Sequence, residues 1–399
     1  MTTRAATSGG AQLLAGSAPE SVHTLFFVET AALWGGPQKR LFRLARAWAA
    51  RGHATAVAAL RGDEYSDPSE LEALGLPIFS LTSGGKEVLK SFHISAARSS
   101  RALVRLLRPR LVFTMETLVD YQVRMGLLWA GVPVVTLLGI DRWSWEQKLH
   151  RRLMMGWLAL HPGAIVANSA RVLDGWLRVL GPSLVERRPH TVIPNPVDPS
   201  EFEARFERDT PGLLVVGGLG RFQLQKGFDL LLDACAALPA ELDGRRVVLR
   251  LQGRGMDEVR LRKRAEELNL GSRVEFMPFT QRVEAFLHAL DVLVVPSRWA
   301  GFENVALEGV LCGTPTLIST GTGLEALQHD PCFRPFEPTV EQLARALRSF
   351  LERARAERVE LARAQHRLVL AELDAARIAA RFEEFLTTSG LLARAGERG

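Results

Sequence analysis

Short apolar runs recur along the chain, and the stretches between them carry apolar residues three and four positions apart. The run "VHTLFFV" (22–28) reads as a buried strand. From Pro37 to Ala50 the spacing changes: Leu41, Leu44, Ala45 and Trp48 fall on one stripe, as in an amphipathic helix, and Gly52 closes it. Strands are then predicted at "ATAVAAL" (54–60), "RLVFTME" (110–116), "VPVVTLL" (132–138) and "GAIVANS" (163–169). A second series runs through "GLLVVGGLG" (212–220), "RRVVLRLQG" (245–253), "RVEFMPF" (273–279), "LDVLVVPS" (290–297) and "TPTLIST" (314–320). Strands alternating with helices imply parallel sheets covered on both faces. The Pro-rich "RRPHTVIPNPVDPSEF" separates the two series, so the expected class is α/β, with two doubly wound Rossmann-like domains facing across a cleft. The final "LERARAERVELARAQHRLVLAELDAARIAARFEEFL" (351–386) is long and charged and reads as two helices.

Length agrees with two cores: 399 residues exceed what one ordinary core organises. With 47% hydrophobic and 24% charged residues, the composition is that of a soluble globular protein. The net charge of +6 comes from arginines scattered through helical stretches such as "HISAARSSRALVRLLRPR". That pattern suits an anionic ligand or a membrane surface, with a solvated helix face as the plainer reading. It lacks the dense basic block and interleaved aromatics of a nucleic-acid groove. Cys235, Cys312 and Cys332 are far apart, without metal spacing, and fit small buried residues in a reducing compartment. Residues 1–21 are expected to be a disordered tail, and no apolar run is long enough for a membrane span.

Doubly wound sheets bind ligands beyond the carboxyl ends of their strands, so the loops there are the candidate chemistry. In "GGLGRFQLQKGFDLLLDA", glycines including Gly220 allow close approach, and Arg221 and Lys226 bring two cations to a helix start, a diphosphate-type site. In "LVVPSRWAGFENVALEGVLCGTPTLIST", Gly301 precedes the amides of Glu303, Asn304 and Val305, with Glu308 in the helix that follows. "ETAALWGGPQKR" sets Gly35 and Gly36 before Pro37, a favoured first helical residue. "LQGRGMDE" lacks the third glycine and the ribose-binding acid of a dinucleotide fingerprint, which disfavours a nicotinamide dehydrogenase. Trp143, Trp145 and Trp157 could line an acceptor cleft or meet a membrane interface, although core packing is commoner. His53, His150, His161 and His190 show no metal spacing.

In order along the chain, "GGPQKRLFRLARAWAARGH", "IVANSARV", "VIPNPVDPSEF", "GRFQLQKGFDLLLDA", "VEFMPF", "ALDVLVVPSRWAGFENVALEGVLCGTPTLIST" and "AARIAARFEEFL" resemble the retaining glycosyltransferases of the GT-B fold, family 4 in particular. The resemblance implies an acceptor-binding domain at 22–198, a nucleotide-sugar domain at 199–370, and a closing helix that returns to the first domain, with the tail, at 371–399. Arg221 and Lys226 would neutralise the diphosphate leaving group, and Glu308 would bind the nucleotide ribose. The base would lie near Phe276 to Phe279, and the amides at Asn304 and Val305 would face the sugar or distal phosphate. Gly35 and Gly36 would approach the donor from the first domain.

No metal or cofactor is implied. The donor would be a UDP- or GDP-sugar, and the acceptor a carbohydrate, lipid-linked or small-molecule hydroxyl, in the cytoplasm or peripherally at the inner face of a membrane. Two positions depart from the family. Its first glutamate, set against the donor hexose, falls at Ala300, with Glu303 a partial replacement. The histidine of many relatives falls at Leu138, where Asp141 and Arg142 are the nearest polar groups. The alternative is therefore a nucleotide-sugar-binding GT-B protein without turnover; an epimerase or a phosphorylase would need carboxylates or a cofactor lysine not seen here.

Overall fold

The computed structural model describes residues 11–17, 19, 21–31, 36–61, 67–81, 94–115, 117–128, 130–139, 161–180, 188–207, 211–280 and 282–393. The chain divides into two units: 1–196 together with 375–399, and 197–374.

Unit 1 holds eight strands: β1 (Gln12–Ala15), β2 (Thr24–Thr30), β3 (Thr55–Arg61), β4 (Ile78–Ser80), β5 (Leu111–Met115), β6 (Val134–Leu138), β7 (Gly163–Ala167) and β8 (His190–Val192). Its helices include α1 (Gly36–Ala50), α2 (Pro68–Glu72), α3 (Ile94–Leu107), α4 (Thr117–Leu127) and α5 (Ala170–Leu180). The sheet order is β1-β4-β3-β2-β5-β6-β7-β8, parallel except where β1 meets β4. The central strands are apolar because both faces are covered; Phe26, Phe27, Val112 and Val135 are fully buried. One expectation is corrected here. Residues 12–15 lie in the stretch read as a disordered tail, yet they form an edge strand with Ala11 and Ala15 buried. The strand is only four residues long, too brief an apolar patch to stand out in a stretch rich in Ala, Gly, Ser and Thr.

Unit 2 contains β9 (Leu213–Arg221), β10 (Glu241–Leu242), β11 (Arg245–Arg254), β12 (Val274–Met277), β13 (Val292–Val295) and β14 (Thr316–Ile318). Its helices are α6 (Phe228–Ala236), α7 (Glu258–Glu267), α8 (Glu284–His288), α9 (Asn304–Leu311), α10 (Glu325–Gln328), α11 (Val340–Leu351) and α12 (Arg355–Leu373). The order is β10-β11-β9-β13-β14, with β12 also on β11 and only the β10 pairing antiparallel. The core gathers Val216, Leu231, Leu249, Leu251, Val292 and Leu347.

The last helix, α13 (Ala375–Thr388), follows Asp374 and belongs to unit 1. Its Phe382 is fully buried edge-on to Phe113, 5.9 Å between ring centroids. Glu383 accepts from Arg51 and lies 3.3 Å from His53, whose ring stacks on Trp48 at 4.4 Å. Unit 2 closes on itself, since the Val197 amide donates to the Leu373 carbonyl at 2.8 Å. That bond puts its limits at 197 and 374, a few residues from the 199 and 370 expected from the sequence. No helix among the described residues is long and apolar enough to cross a membrane.

Candidate functional site

In unit 2 the strand order reverses between β9 and β13, and the loops leaving these two strands form the crevice where such sheets take ligands. β9 ends at Arg221, which is exposed and has no acidic partner among the described residues. The chain turns through Leu224–Lys226 and enters α6 at Gly227. Gly227 has φ +69°, and a Cβ there would lie 2.1 Å from the Pro296 carbonyl oxygen. The two loops therefore touch at a point only glycine can occupy.

Lys226 Nζ lies 2.7 and 2.8 Å from the two carboxylate oxygens of Glu303, which is only 2% exposed. Ser297 Oγ donates to the same carboxylate at 2.5 Å. The Arg298 guanidinium forks onto Asp229 at 2.7 and 2.9 Å and also donates to the Leu224 carbonyl at 2.8 Å. The Arg298 amide donates to the Gln225 carbonyl, and the Gln225 side chain donates to the Trp299 carbonyl, each at 2.9 Å. Burial pushes the Asp229 carboxyl up, but the Arg298 bonds outweigh it and hold it below the ordinary aspartate value.

These contacts assign places to the expected residues. Arg221, Lys226 and Glu303 belong to the crevice loops of unit 2, and Glu303 caps α9, whose first turn contains Asn304 and Val305. One expectation for Glu303 is corrected, and its carboxylate has partners the sequence did not suggest. Its amide donates to the Thr322 carbonyl at 3.0 Å, so it is not a free donor, and its carboxylate is engaged by Lys226 and Ser297. Glu308 follows on α9 and is 8% exposed, which excludes the fully solvated helix face. Gly220 sits at the end of β9 with φ +146°; its carbonyl oxygen would be 1.9 Å from a Cβ at Gly253. Phe279 is 46% exposed beneath the Arg254 guanidinium, 4.5 Å from its ring centre.

Gly36 is the first residue of α1 in unit 1, and Ala300 and Leu138 are both buried. Gly35, Asp141, Arg142, Trp143, Trp145, Trp157 and His150 lie outside the described residues. Sequence reasoning missed Ser297, Asp229 and Arg298. The local signals for them were a serine and an arginine directly after Pro296, and an acid in the first turn of α6. Among the described residues, no group of three or more His, Cys, Asp or Glu side chains is placed to hold a metal.

This arrangement puts one exposed and one half-sheltered cation at a crevice beside the start of α9. An ammonium has three donors, so the Glu303 carboxylate leaves Lys226 able to donate to a further oxyanion. The geometry suits a polyanion such as a diphosphate.

Both halves of the chain are similar to known proteins. The family model described as Glycosyl transferases group 1 matches residues 210–353, and that for Glycosyltransferase Family 4 matches 34–201. The lipopolysaccharide core biosynthesis mannosyltransferase LpsB of Rhizobium meliloti is 32% identical over 191 residues, 45% of this chain and 49% of that protein. Glycogen synthase of Mycobacterium tuberculosis is 32% identical over 219 residues, 51% of each. The chain thus spans about half the length of these curated relatives. Among solved structures, HepE of Anabaena in complex with UDP superposes with a TM-score of 0.71 at 18% identity, covering 92% of this chain and 100% of that one. Sucrose-phosphate synthase of Thermosynechococcus elongatus gives 0.71 at 19%, covering 92% and 98%. Each half of the chain thus matches a glycosyltransferase family model, and its two-unit fold is that of the GT-B structures.

Proposed function

We propose that the chain transfers a sugar, with retention of anomeric configuration, from a nucleotide-diphosphate donor held by unit 2 to a hydroxyl acceptor taken by unit 1. The observation that carries this reading is the Lys226–Glu303 pair, which joins the loop that follows Arg221 and β9 to the start of α9 at the reversal point of the unit 2 sheet. Arg221 and Lys226 take up the charge that grows on the departing diphosphate, the kind of stabilisation that lowers a transfer barrier most. Glu308 binds the ribose hydroxyls, and Phe279 offers an exposed face to the base. The amides of Asn304 and Val305 face the sugar or distal phosphate, and the leaving phosphate takes the acceptor proton. UDP is the first nucleotide to try, since HepE binds it. The arginines of α3 leave room for an anionic or membrane-borne acceptor.

The test is calorimetric titration with UDP, GDP, ADP and TDP, followed by donor hydrolysis with the matching sugar nucleotides. Selective binding lost in Arg221→Ala, with slow release of free sugar, is the expected result. Glu308→Ala is expected to weaken nucleotide binding about tenfold, near 1.4 kcal/mol, with little change in unfolding midpoint. Binding with no hydrolysis or transfer would favour the second reading, a nucleotide-sugar-binding protein without turnover. The buried alanine and leucine at 300 and 138 give that reading its support.

A further inference from the structure

We propose that unit 1 carries an oxyanion site of its own at the carboxyl ends of β6 and β7, formed by the Arg40 guanidinium, the Asn168 side chain and the gap left by Gly139. Arg40 lies in the second turn of α1, a helix of 15 residues, and is 2% exposed. Its Nη1 donates to the Leu138 carbonyl at 2.9 Å, while Nε and Nη2 have no partner among the described residues. The same carbonyl accepts from the Asn168 backbone amide at 3.2 Å. Asn168 is 4% exposed, and its Nδ2, not the acceptor Oδ1, is the group that can donate to an anion. A Cβ at Gly139 would lie 3.7 Å from Asn168 Nδ2 and 4.0 Å from Arg40 Nη1, so the glycine leaves a space both groups border.

The neighbouring buried arginine shows what is missing. Arg124, 1% exposed, has the Asp120 carboxylate at 2.9 Å and the Thr136 hydroxyl at 2.8 Å. Among the described residues Arg40 has a single carbonyl and no carboxylate, and burial lowers its pKa to about 9. A charge held out of water without a counter-ion is costly, and functional sites are where such groups are retained. The place fits as well. Arg40 sits towards the amino end of α1, whose dipole favours an anion, beside the carboxyl edge of a doubly wound sheet. A guanidinium with free donors on two nitrogens matches a phosphate or carboxylate group. The inference deepens the transfer reading by giving the ligand of unit 1 an anionic group, and it rests on that reading only for the ligand's role. The anion is either a group on the acceptor or the donor diphosphate itself.

Thermal unfolding of the full chain separates the possibilities, with inorganic phosphate compared with chloride at matched ionic strength. Phosphate should raise the midpoint of the wild type and of Arg221→Ala alike. Arg40→Met should melt higher than wild type in chloride, because an uncompensated buried charge is gone, and should show no rise with phosphate. An Arg40→Met chain that melts lower in chloride and keeps the phosphate rise would overturn the proposal and make Arg40 a strut for β6. Should Arg40→Met fail to fold, Asn168→Ala takes its place: a smaller phosphate rise supports the site, and an unchanged one overturns it. UDP calorimetry then assigns the source. Unchanged UDP affinity in the Arg40 variant gives the site to the acceptor, and about a tenfold loss gives it to the donor. A wild type that binds no nucleotide while keeping an Arg40-dependent phosphate rise would sink the transfer reading and leave this site standing.

Discussion

Lys226 and Glu303 hold each other inside the crevice, so replacing either one acts on stability and on chemistry together. Lys226→Ala strands a carboxylate that is 2% exposed, and breaking a buried pair from one side costs about 3–5 kcal/mol. Turnover should fall as well, because a cation is lost where the leaving group gains charge. The double variant Lys226→Met/Glu303→Gln removes both charges and should recover most of the stability while remaining inactive. Urea unfolding and a donor-hydrolysis assay on the same samples check both parts. A double variant as unstable as the single one would mean that Ser297 and the α9 cap, and not the stranded charge, set the loss. The sequence suggested Lys226 and Glu303 separately and gave no reason to join them. They are 77 positions apart, and only the return of β13 beside β9 brings them together.

At the scale of elements, much was legible because doubly buried parallel strands are apolar on both faces. The runs at 212–220, 245–253 and 163–169 therefore stood out and became β9, β11 and β7 within a residue or two. β1, β4 and β8 were missed: each is short, and β1 and β8 are edge strands with weaker apolar signals. The two closing helices were legible as a long charged helical stretch, the return of the last one only through the family resemblance, and α13 shows why it is needed. Phe382 fills unit 1 against Phe113, and Phe382→Ala should destabilise that unit by about 3–5 kcal/mol, with the unit 2 transition in calorimetry left in place. In the crevice, Asp229→Asn loosens the fork that holds Arg298 against the loop at Leu224. The expected result is weaker UDP binding with an unfolding midpoint near wild type; a large drop in midpoint with intact affinity would make the fork a stability device alone.

The two units differ in how the chain builds them, and this shapes the response of the whole molecule. Unit 2 is one continuous segment with its own core, whereas unit 1 needs α13 from the far end of the chain. Two separable unfolding transitions are therefore expected, and each unit contains a histidine that reports on pH, buried in unit 1 and half-buried in unit 2. His161 in unit 1 is 3% exposed; burial lowers its pKa below 6.5, and the Arg124 charge lowers it further. His366 in unit 2 is lowered by burial. A lowered imidazole means the unfolded chain binds the proton more readily, so stability rises with pH across the window. The contribution is complete above the ordinary value of 6.5 and declines as the pH falls below it. Both transitions should move to lower temperature between pH 7.5 and pH 5.5, before the carboxylates of Asp229 and Asp330, held below their ordinary values, begin to protonate. His161→Gln should flatten the slope of the unit 1 transition only. If it flattens neither, the acid response belongs to other groups; if it flattens both, the two units unfold as one.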